Sequence, residues 1–497
     1  MNKILILLIF GIFFILNFLK AQNHSFLTPL QQKNYKELSL SNEIENFLQN
    51  AAEVSDIIQL ETIGESVNGK PVFMVKISED FDYTSGKLNM LVFAQQHGNE
   101  PSGKEGALLF VSQFVEGKNM ELLKHVNFFI IPQVNPDGGD NFERRNAAGI
   151  DLNRDHLLLQ APESQAIQEV FRKYMPEVSV DIHEYYPYSD SWKEFGYRKD
   201  FDIQLGGLTN INIDEEIYDL FKKETYPFVK QVVESQGYSF FEYTLGDLPD
   251  GERLRHSTVD VNDGRQSIGI TNTLSFIIEG LRGEEKMDSI KRRAESQYYT
   301  ILGLAKYAAM HATILKTKVN VARQKLIQGN ANDSVAIRLD HFQGDEPLYY
   351  PLLSYETGKD SVFFIEKYYS VVKPTLNVHK PKGYLVPQND SLLVGWLKRS
   401  GFYYEENFQL DGALMQYKLG EISTTNDEGI ENKWVDVQKL KRENSTDVLK
   451  YYYVSVNQVY AYKIITALEP QSMYGLVYYP EFEYLLDNDY FPILRVE

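Results

Sequence analysis

Four short runs of apolar residues give the clearest pattern in this chain. They cover residues 88–94, 126–131, 178–182 and 274–278. Each run is continuous and does not alternate with polar residues, which is typical of strands buried on both faces of a sheet. Helical spacing of apolar residues follows in segments 101–114, 162–174, 214–235 and 284–315. This alternation predicts an α/β fold, with a sheet covered by helices on both faces.

The pattern changes beyond about residue 320. Short stretches rich in aromatic and β-branched residues, such as 361–365 and 451–456, are separated by Gly, Pro, Asn and Asp. We therefore predict a mainly β region over residues 321–497, built as one or two small units. Its tyrosines, including Tyr349 and Tyr478, could stack on glycans, but packing within a sheet is the commoner use of aromatic residues there.

The N-terminus predicts export. Lys3 precedes an apolar run over residues 4–19, which is followed by Lys20, Ala21 and Gln22. This order is typical of a secretory signal peptide cleaved after Ala21, here residues 1–21. The run falls short of the roughly 20 apolar residues that span a bilayer, so we expect no stable membrane anchor. A periplasmic or secreted bacterial protein fits best, with residues 22–320 as its α/β domain.

Charge and composition narrow the chemistry. The 497 residues include 50 Lys and Arg against 69 Asp and Glu, which gives a net charge of −19. Such an acidic chain repels nucleic acids and anionic membranes. The sequence has no cysteine, so disulfides, thiolate metal sites and cysteine nucleophiles are excluded. Any metal site must use histidines and carboxylates.

Polar residues at the ends of the predicted strands supply such a set. His97 and Glu100 follow the first run, His183 follows the third and Glu279 follows the fourth. Ligands of α/β sheets bind beyond the carboxyl ends of the strands, so these side chains should meet there. Two histidines and one carboxylate form the protein half of an open catalytic zinc site, and a further carboxylate can act as general base. The alternatives are a polar loop that caps a helix, a hydrogen-bonded strand-end histidine, and a Glu279 salt bridge with Arg282.

An arginine-rich stretch lies between these residues. Asn135, Pro136, Asp137 and Gly138 read as a turn, and three arginines follow within eleven residues: Arg144, Arg145 and Arg154. In so acidic a chain they suggest an anion pocket, because guanidinium binds carboxylates through paired N–H donors. The alternative is a surface patch paired with nearby acidic residues.

These motifs occur in a recognisable order. The series HxxE, NPDG, RxNxxGxDLNRD, DIH and LSFIIE resembles the zinc metallocarboxypeptidases of the carboxypeptidase A type, also called funnelins, over roughly residues 30–315. The resemblance implies a mixed, mostly parallel twisted sheet, one Zn²⁺ ion and a peptide substrate. It implies His97, Glu100 and His183 as zinc ligands and Glu279 as general base.

The same resemblance assigns the polar residues around the metal. Arg144 would polarise the scissile carbonyl, although Arg145 is its immediate neighbour and could share substrate binding. Asn153 and Arg154 would hold the terminal carboxylate of the substrate, and Asp151 would fix the tautomer of His97.

The sequence departs from the family in two places. The mobile tyrosine that precedes the base in digestive members has no counterpart within residues 244–278, because the nearest are Tyr238 and Tyr243. We therefore expect that position to be vacant. The pocket for the terminal side chain should lie within residues 254–273, where Asp260, Asp263 and Arg265 leave its preference open.

The leading hypothesis is thus a zinc-dependent hydrolase that releases C-terminal residues from peptides. A zinc deacylase or amidase acting on N-acyl amino acids or cell-wall peptides, and an inactive binding module, remain alternatives. Oligomeric state is left open by the sequence.

Overall fold

The structure is a computed structural model that describes residues 25–84, 86–246, 248, 253–427, 430–442 and 448–497. The predicted signal peptide, residues 1–21, lies outside the described residues. Among the residues described, no helix combines the length and the apolar character needed to cross a membrane.

The secondary structure follows the chain in alternating order at first and becomes strand-rich later. The strands are β1 (Ile58–Glu65), β2 (Pro71–Ile77), β3 (Leu88–Ala94), β4 (Val126–Ile131), β5 (Val178–Tyr185), β6 (Tyr197–Arg198), β7 (Ile203–Gly206), β8 (Phe240–Glu242), β9 (Thr244–Leu245), β10 (Arg255–His256), β11 (Leu274–Leu281), β12 (Ser334–Phe342), β13 (Leu348–Ser354), β14 (Asp360–Ile365), β15 (Val371–His379), β16 (Gly383–Pro387), β17 (Leu414–Asp427), β18 (Ile430–Lys441), β19 (Tyr451–Ser455) and β20 (Leu494–Val496).

The helices pack around these strands. They are α1 (Pro29–Gln32), α2 (Ser41–Val54), α3 (Ser102–Val115), α4 (Pro136–Asn141), α5 (Pro162–Tyr174), α6 (Asp190–Phe195), α7 (Glu215–Leu220), α8 (Tyr226–Glu234), α9 (Gly264–Gly269), α10 (Ile290–Met310), α11 (Ala312–Ile327), α12 (Ser391–Ser400) and α13 (Ala461–Leu468). A π-helical turn, Phe221–Thr225, joins α7 to α8, and 3₁₀ turns occur at Met120–Lys124, Leu152–Arg154, Val448–Lys450, Leu476–Tyr478 and Pro480–Leu486.

An eight-stranded mixed sheet forms the centre, in the order β1-β2-β4-β3-β5-β11-β7-β8. Its four middle strands, β4, β3, β5 and β11, run parallel, while β2 and β7 pair antiparallel to them. The predicted mixed, mostly parallel sheet is therefore confirmed. The four predicted apolar runs are these four middle strands, and β5 and β11 continue three residues further than predicted.

Two hydrophobic cores lie on the two faces of the sheet. Along β3, Met90 and Val92 point into one core, whereas Leu91 and Phe93 point into the other. Helices α2, α3, α8, α10 and α11 cover the first face. The second face is covered by α5 and α9 together with α12 and α13, which come from the C-terminal region. Helices on both faces are thus confirmed, with part of the cover supplied from beyond residue 320.

Three local predictions differ from the structure. The helix predicted over residues 214–235 is interrupted by the π turn, because Pro227 has no N–H to donate four residues back. The helix predicted over 284–315 begins at Ile290, breaks at His311 and continues in α11 past residue 320. The turn predicted at 135–138 is the start of α4, where the Asn135 side chain accepts a hydrogen bond from the N–H of Gly138. The proposed division at residue 320 stays a prediction.

The C-terminal region is strand-rich, as predicted, and it packs closely against the central sheet. Trp396 of α12 donates its indole N–H to the carbonyl of Leu157 at 2.9 Å. Of the two adjacent tyrosines in β13, Tyr350 is fully buried, while Tyr349 is 64% exposed and contacts Phe364. The alternation is that of an ordinary strand with one packed face.

Candidate active site

Neighbouring strands bring the predicted site residues together at one edge of the sheet. In the parallel pair of β5 and β11, Glu279 lies directly opposite His183. The loop after β3 turns sharply at Gln95, whose backbone is left-handed with φ of 56°. That conformation is held by the Gln95 side chain, which donates to the carbonyl of Gly98 at 2.9 Å. Gly98 lies so close to Gly138 that any side chain would clash with its backbone.

His97, Glu100 and His183 form a buried cluster of potential metal ligands. Nδ1 of His97 lies 2.8 Å from one oxygen of Glu100, and Nδ1 of His183 lies 3.0 Å from the other. The two Nδ1 atoms are 3.2 Å apart, so at least one must present a lone pair. One atom from each residue can be chosen so that all three lie within 4.8 Å of one another. This donor set fits one zinc ion and leaves a coordination position open.

Carboxylates hold the far side of both imidazoles. Nε2 of His97 lies 3.0 Å from Asp151, as the resemblance implies, and Nε2 of His183 lies 2.8 Å from Asp181. In each ring Nε2 can donate a hydrogen bond to the carboxylate, so Nδ1 is the nitrogen that faces the cluster. Sequence reasoning did not assign Asp181. The available signal was its position two residues before His183, because residues two apart on a strand share a face.

The cluster shifts the pKa values of its acids. Burial acts to raise the pKa of Glu100, but His97 and His183 outweigh burial and hold that pKa well below its usual range. Burial also opposes ionisation of Asp151, whose pKa is nevertheless lowered by His97 and Arg144. Both groups are therefore carboxylates at neutral pH, as a ligand and a histidine partner must be.

Glu279 has the opposite character. Burial, together with the negative charge of Glu100, raises its pKa to about 7, although His183 and Tyr243 act to lower it. A carboxyl group with a pKa near neutrality is suited to both accepting and releasing a proton. Arg282, the salt-bridge partner in the alternative hypothesis, lies elsewhere, between the rings of Phe142 and Tyr186.

The expected vacancy of the tyrosine position was wrong. The hydroxyl of Tyr243 interacts with the Glu279 carboxylate, and burial followed by the charge of Glu279 raises the pKa of Tyr243 well above its usual value. Tyr243 follows β8, whose neighbour β7 lies beside β11. Sheet order, which sequence separation did not reveal, brings this side chain to the base.

The adjacent residues Arg144 and Arg145 make different contacts in the structure. The Arg144 guanidinium lies 3.3 Å from Glu100 and 3.0 Å from Asp151, with its side chain 44% exposed. Arg145 instead donates to the carbonyl of Gly149. Of these two arginines, Arg144 is the one for which the described residues show a contact with the cluster.

Asn153 and Arg154 differ in how open they are to a substrate. The buried Asn153 amide accepts the N–H of Gly264 at 2.8 Å and lies 3.3 Å from Nε2 of His183. Arg154 has half of its side chain exposed, and its nearest acidic group is Asp260, at 3.9 Å. Arg154 can therefore receive a carboxylate from solvent, while the substrate contact of Asn153 stays a prediction.

Asp260, Asp263 and Arg265, the three candidates for the pocket of the terminal side chain, differ in their contacts. Arg265 is fully buried and donates to Gly207 and Ser257. Asp263 pairs with Arg265 at 3.4 Å and also caps α9. Asp260 faces Arg154. The preference for a terminal side chain remains open.

Comparison with known proteins agrees with this geometry. Residues 44–202 match the family model described as zinc carboxypeptidase. Residues 44–202 are therefore similar to zinc carboxypeptidases. The matched part includes His97, Glu100 and His183 but ends before Glu279.

This part of the chain is also similar to several curated proteins. It is 31% identical over 204 residues to Carboxypeptidase 2 of Trichophyton rubrum, covering 39% of this chain and 37% of that protein. It is 31% identical over 122 residues to Carboxypeptidase E of Caenorhabditis elegans, covering 20% and 25%. The chain thus spans less than two fifths of the length of these relatives. A solved metallo-carboxypeptidase from Burkholderia cenocepacia matches 56% of this chain and 71% of its own, with 18% identity and a TM-score of 0.44.

Proposed function

We propose that this protein is a zinc-dependent carboxypeptidase that releases C-terminal residues from peptides. The observation that carries the proposal is the convergence of His97, Glu100 and His183 around one point, with Glu279 opposite His183 on the next strand. The family match of residues 44–202 supports the same reaction class.

His97, Glu100 and His183 would hold the zinc ion. When bound, zinc polarises a substrate carbonyl and acidifies water. Glu279 removes the proton from the attacking water and passes it to the leaving amine, a transfer suited to its raised pKa. Tyr243, beside that carboxylate, is placed to donate a hydrogen bond to the substrate or to the leaving group.

Arg144 and Arg154 would act on different parts of the substrate. Arg144, whose guanidinium lies 3.3 Å from Glu100, would stabilise the oxyanion that develops on the scissile carbonyl. Arg154 would bind the terminal carboxylate of the substrate, and Asp260 would position its guanidinium.

Substrates with free and amidated C-termini test the exopeptidase function. We expect the wild type to cleave blocked dipeptides with a free carboxylate far faster than their amides. Arg154→Met should reduce this preference about 10- to 100-fold, since hydrogen bonds to charged groups contribute about 1.5–3 kcal/mol. The measurement is kcat/KM on matched acid and amide substrates.

Arg172→Met serves as the control. Arg172 lies on α5 and donates to the carbonyl of Arg399, outside the site, so the preference should be unchanged. Equal cleavage of acid and amide by the wild type would reject exopeptidase action and favour an amidase. Zinc binding without any turnover would favour the inactive binding module.

We also propose that the chain is exported, on the basis of the charged and apolar pattern of residues 1–21. N-terminal sequencing of protein recovered from the periplasm or medium should then start at Gln22. A mature protein that still begins at Met1 would contradict cleavage.

A further inference from the structure

A continuous series of buried hydrogen bonds links the C-terminal region to the cluster of potential metal ligands. It begins at Lys463 in α13 and ends at His183. Its members, all buried, are Lys463, Ser267, Gln168, His156, Gln96 and Asp181. Among these residues, Asp181 is the one whose charged group pairs with a predicted zinc ligand, His183. The other members have no role in the proposed reaction.

The donors and acceptors are defined at the centre of this hydrogen-bond series. The amide of Gln168 donates to Nδ1 of His156 at 3.0 Å, so the ring proton of His156 must lie on Nε2. That Nε2–H donates to Oε1 of Gln96 at 2.6 Å. Burial lowers the pKa of His156 to about 3, so its imidazole is neutral and can accept at one nitrogen while donating at the other.

The donation by His156 fixes the orientation of the Gln96 amide. With Oε1 engaged, Nε2 of Gln96 faces Asp181 and donates to its two oxygens at 2.9 and 3.0 Å. Asp181 in turn lies 2.8 Å from Nε2 of His183. A reversed Gln96 amide would place an oxygen against the carboxylate, which repels it. The Asp181 carboxylate, and therefore the ring of His183, depend on this orientation.

Lys463 fixes the other side of His156. Its ammonium group donates to the backbone carbonyl of His156 and to the hydroxyl of Ser267, both at 2.7 Å. Ser267 itself donates to the same carbonyl at 3.1 Å. A buried lysine is costly unless its donors are satisfied, so these contacts hold α13 and the His156 backbone in one arrangement.

We propose that His156 and Gln96 are positioning residues for the zinc ligand His183, and that Lys463 makes the C-terminal region part of the metal centre. The inference rests on the zinc site of the proposed function. Partners behind metal ligands typically contribute a factor of about 10–100 to metal affinity.

Zinc affinity of the full-length protein, measured by competition with a chromophoric chelator, tests the inference. His156→Phe should weaken zinc binding about tenfold. Lys463→Met should weaken it by a smaller factor of about three, because Lys463 contacts the His156 backbone and Ser267 but not the His156 ring. His156→Gln, which keeps a donor near the position of Nε2, should restore most of the affinity. Ring ¹⁵N spectra of the zinc-bound protein should show the Nε2–H signal of His183 shifted in His156→Phe and unchanged in Trp396→Phe.

Trp396→Phe is the matched control. It removes a hydrogen bond from the same C-terminal region to the carbonyl of Leu157, the residue next to His156. It should lower the unfolding temperature as Lys463→Met does, yet leave zinc affinity within about twofold of the wild type. Should His156→Phe not fold, Gln168→Met removes only the donor to Nδ1 and should also weaken zinc binding.

Zinc affinities of the His156, Gln168 and Lys463 variants equal to that of the wild type would overturn the inference. So would an equal loss in Trp396→Phe, because the effect would then be one of general stability. A wild type that binds zinc but releases no C-terminal residue would contradict the proposed function alone, since affinity is measured without turnover.

Discussion

Glu279→Gln should lower kcat about 10²- to 10⁴-fold while the protein keeps its zinc. The amide preserves the size of the side chain and its place opposite His183 on β5. It cannot accept the proton of the attacking water, so the loss should fall on the chemical step. The measurements are kcat on a blocked dipeptide and zinc content by elemental analysis.

The control for this variant is Glu242→Gln. Glu242 lies on β8 and is also largely buried, but its carboxylate pairs with His256. We expect its kcat to stay close to that of the wild type. Retained turnover in Glu279→Gln would reject Glu279 as the base, and loss of zinc in that variant would make it a ligand.

The sheet could be predicted because its central strands are buried on both faces. Runs such as Leu88–Ala94 are apolar at nearly every position, and that pattern identifies buried strands without any homologue. Helix ends were less predictable, since they depend on single residues. Pro227 introduces a π turn, and the chain breaks at His311 without a proline or glycine to mark it.

The predicted metal ligands could be inferred from the sequence because they lie near the carboxyl ends of the strands. His97, Glu100 and His183 were predicted to share one ion, and the structure brings their side chains together. Asp181 and Tyr243 were missed for different reasons. For Asp181 the signal was its place two residues before His183 on one strand face, and it was not used. The position of Tyr243 depends on which strands are neighbours, and spacing alone does not encode strand order.

The contribution of the C-terminal region was the least predictable feature. Its strands indicate a separate unit when considered alone. Yet Trp396 packs into the second core of the central sheet, and the buried Lys463 donates to the carbonyl of His156. Such contacts join residues more than 200 positions apart, and local pattern cannot reveal them.

Removal of zinc should abolish peptide hydrolysis and lower the unfolding temperature. Four carboxyl groups surround the cluster, and among them Glu100, Asp151 and Asp181 contact its imidazoles directly. A cation at this point compensates their charge together with the partly exposed Arg144, which lies 3.0 Å from Asp151. A ligand that binds only the folded state stabilises it by about 4 kcal/mol at a thousandfold excess over Kd.

The test is dialysis against a chelator, followed by calorimetry and activity before and after metal is returned. Zinc should restore both properties, but magnesium should not, because it prefers oxygen ligands in an octahedral arrangement. His183→Ala should fail to recover on addition of zinc, whereas the exposed His125→Ala should recover fully. Full hydrolysis by metal-free protein, or equal rescue by magnesium, would show that the buried histidines do not hold the reactive metal.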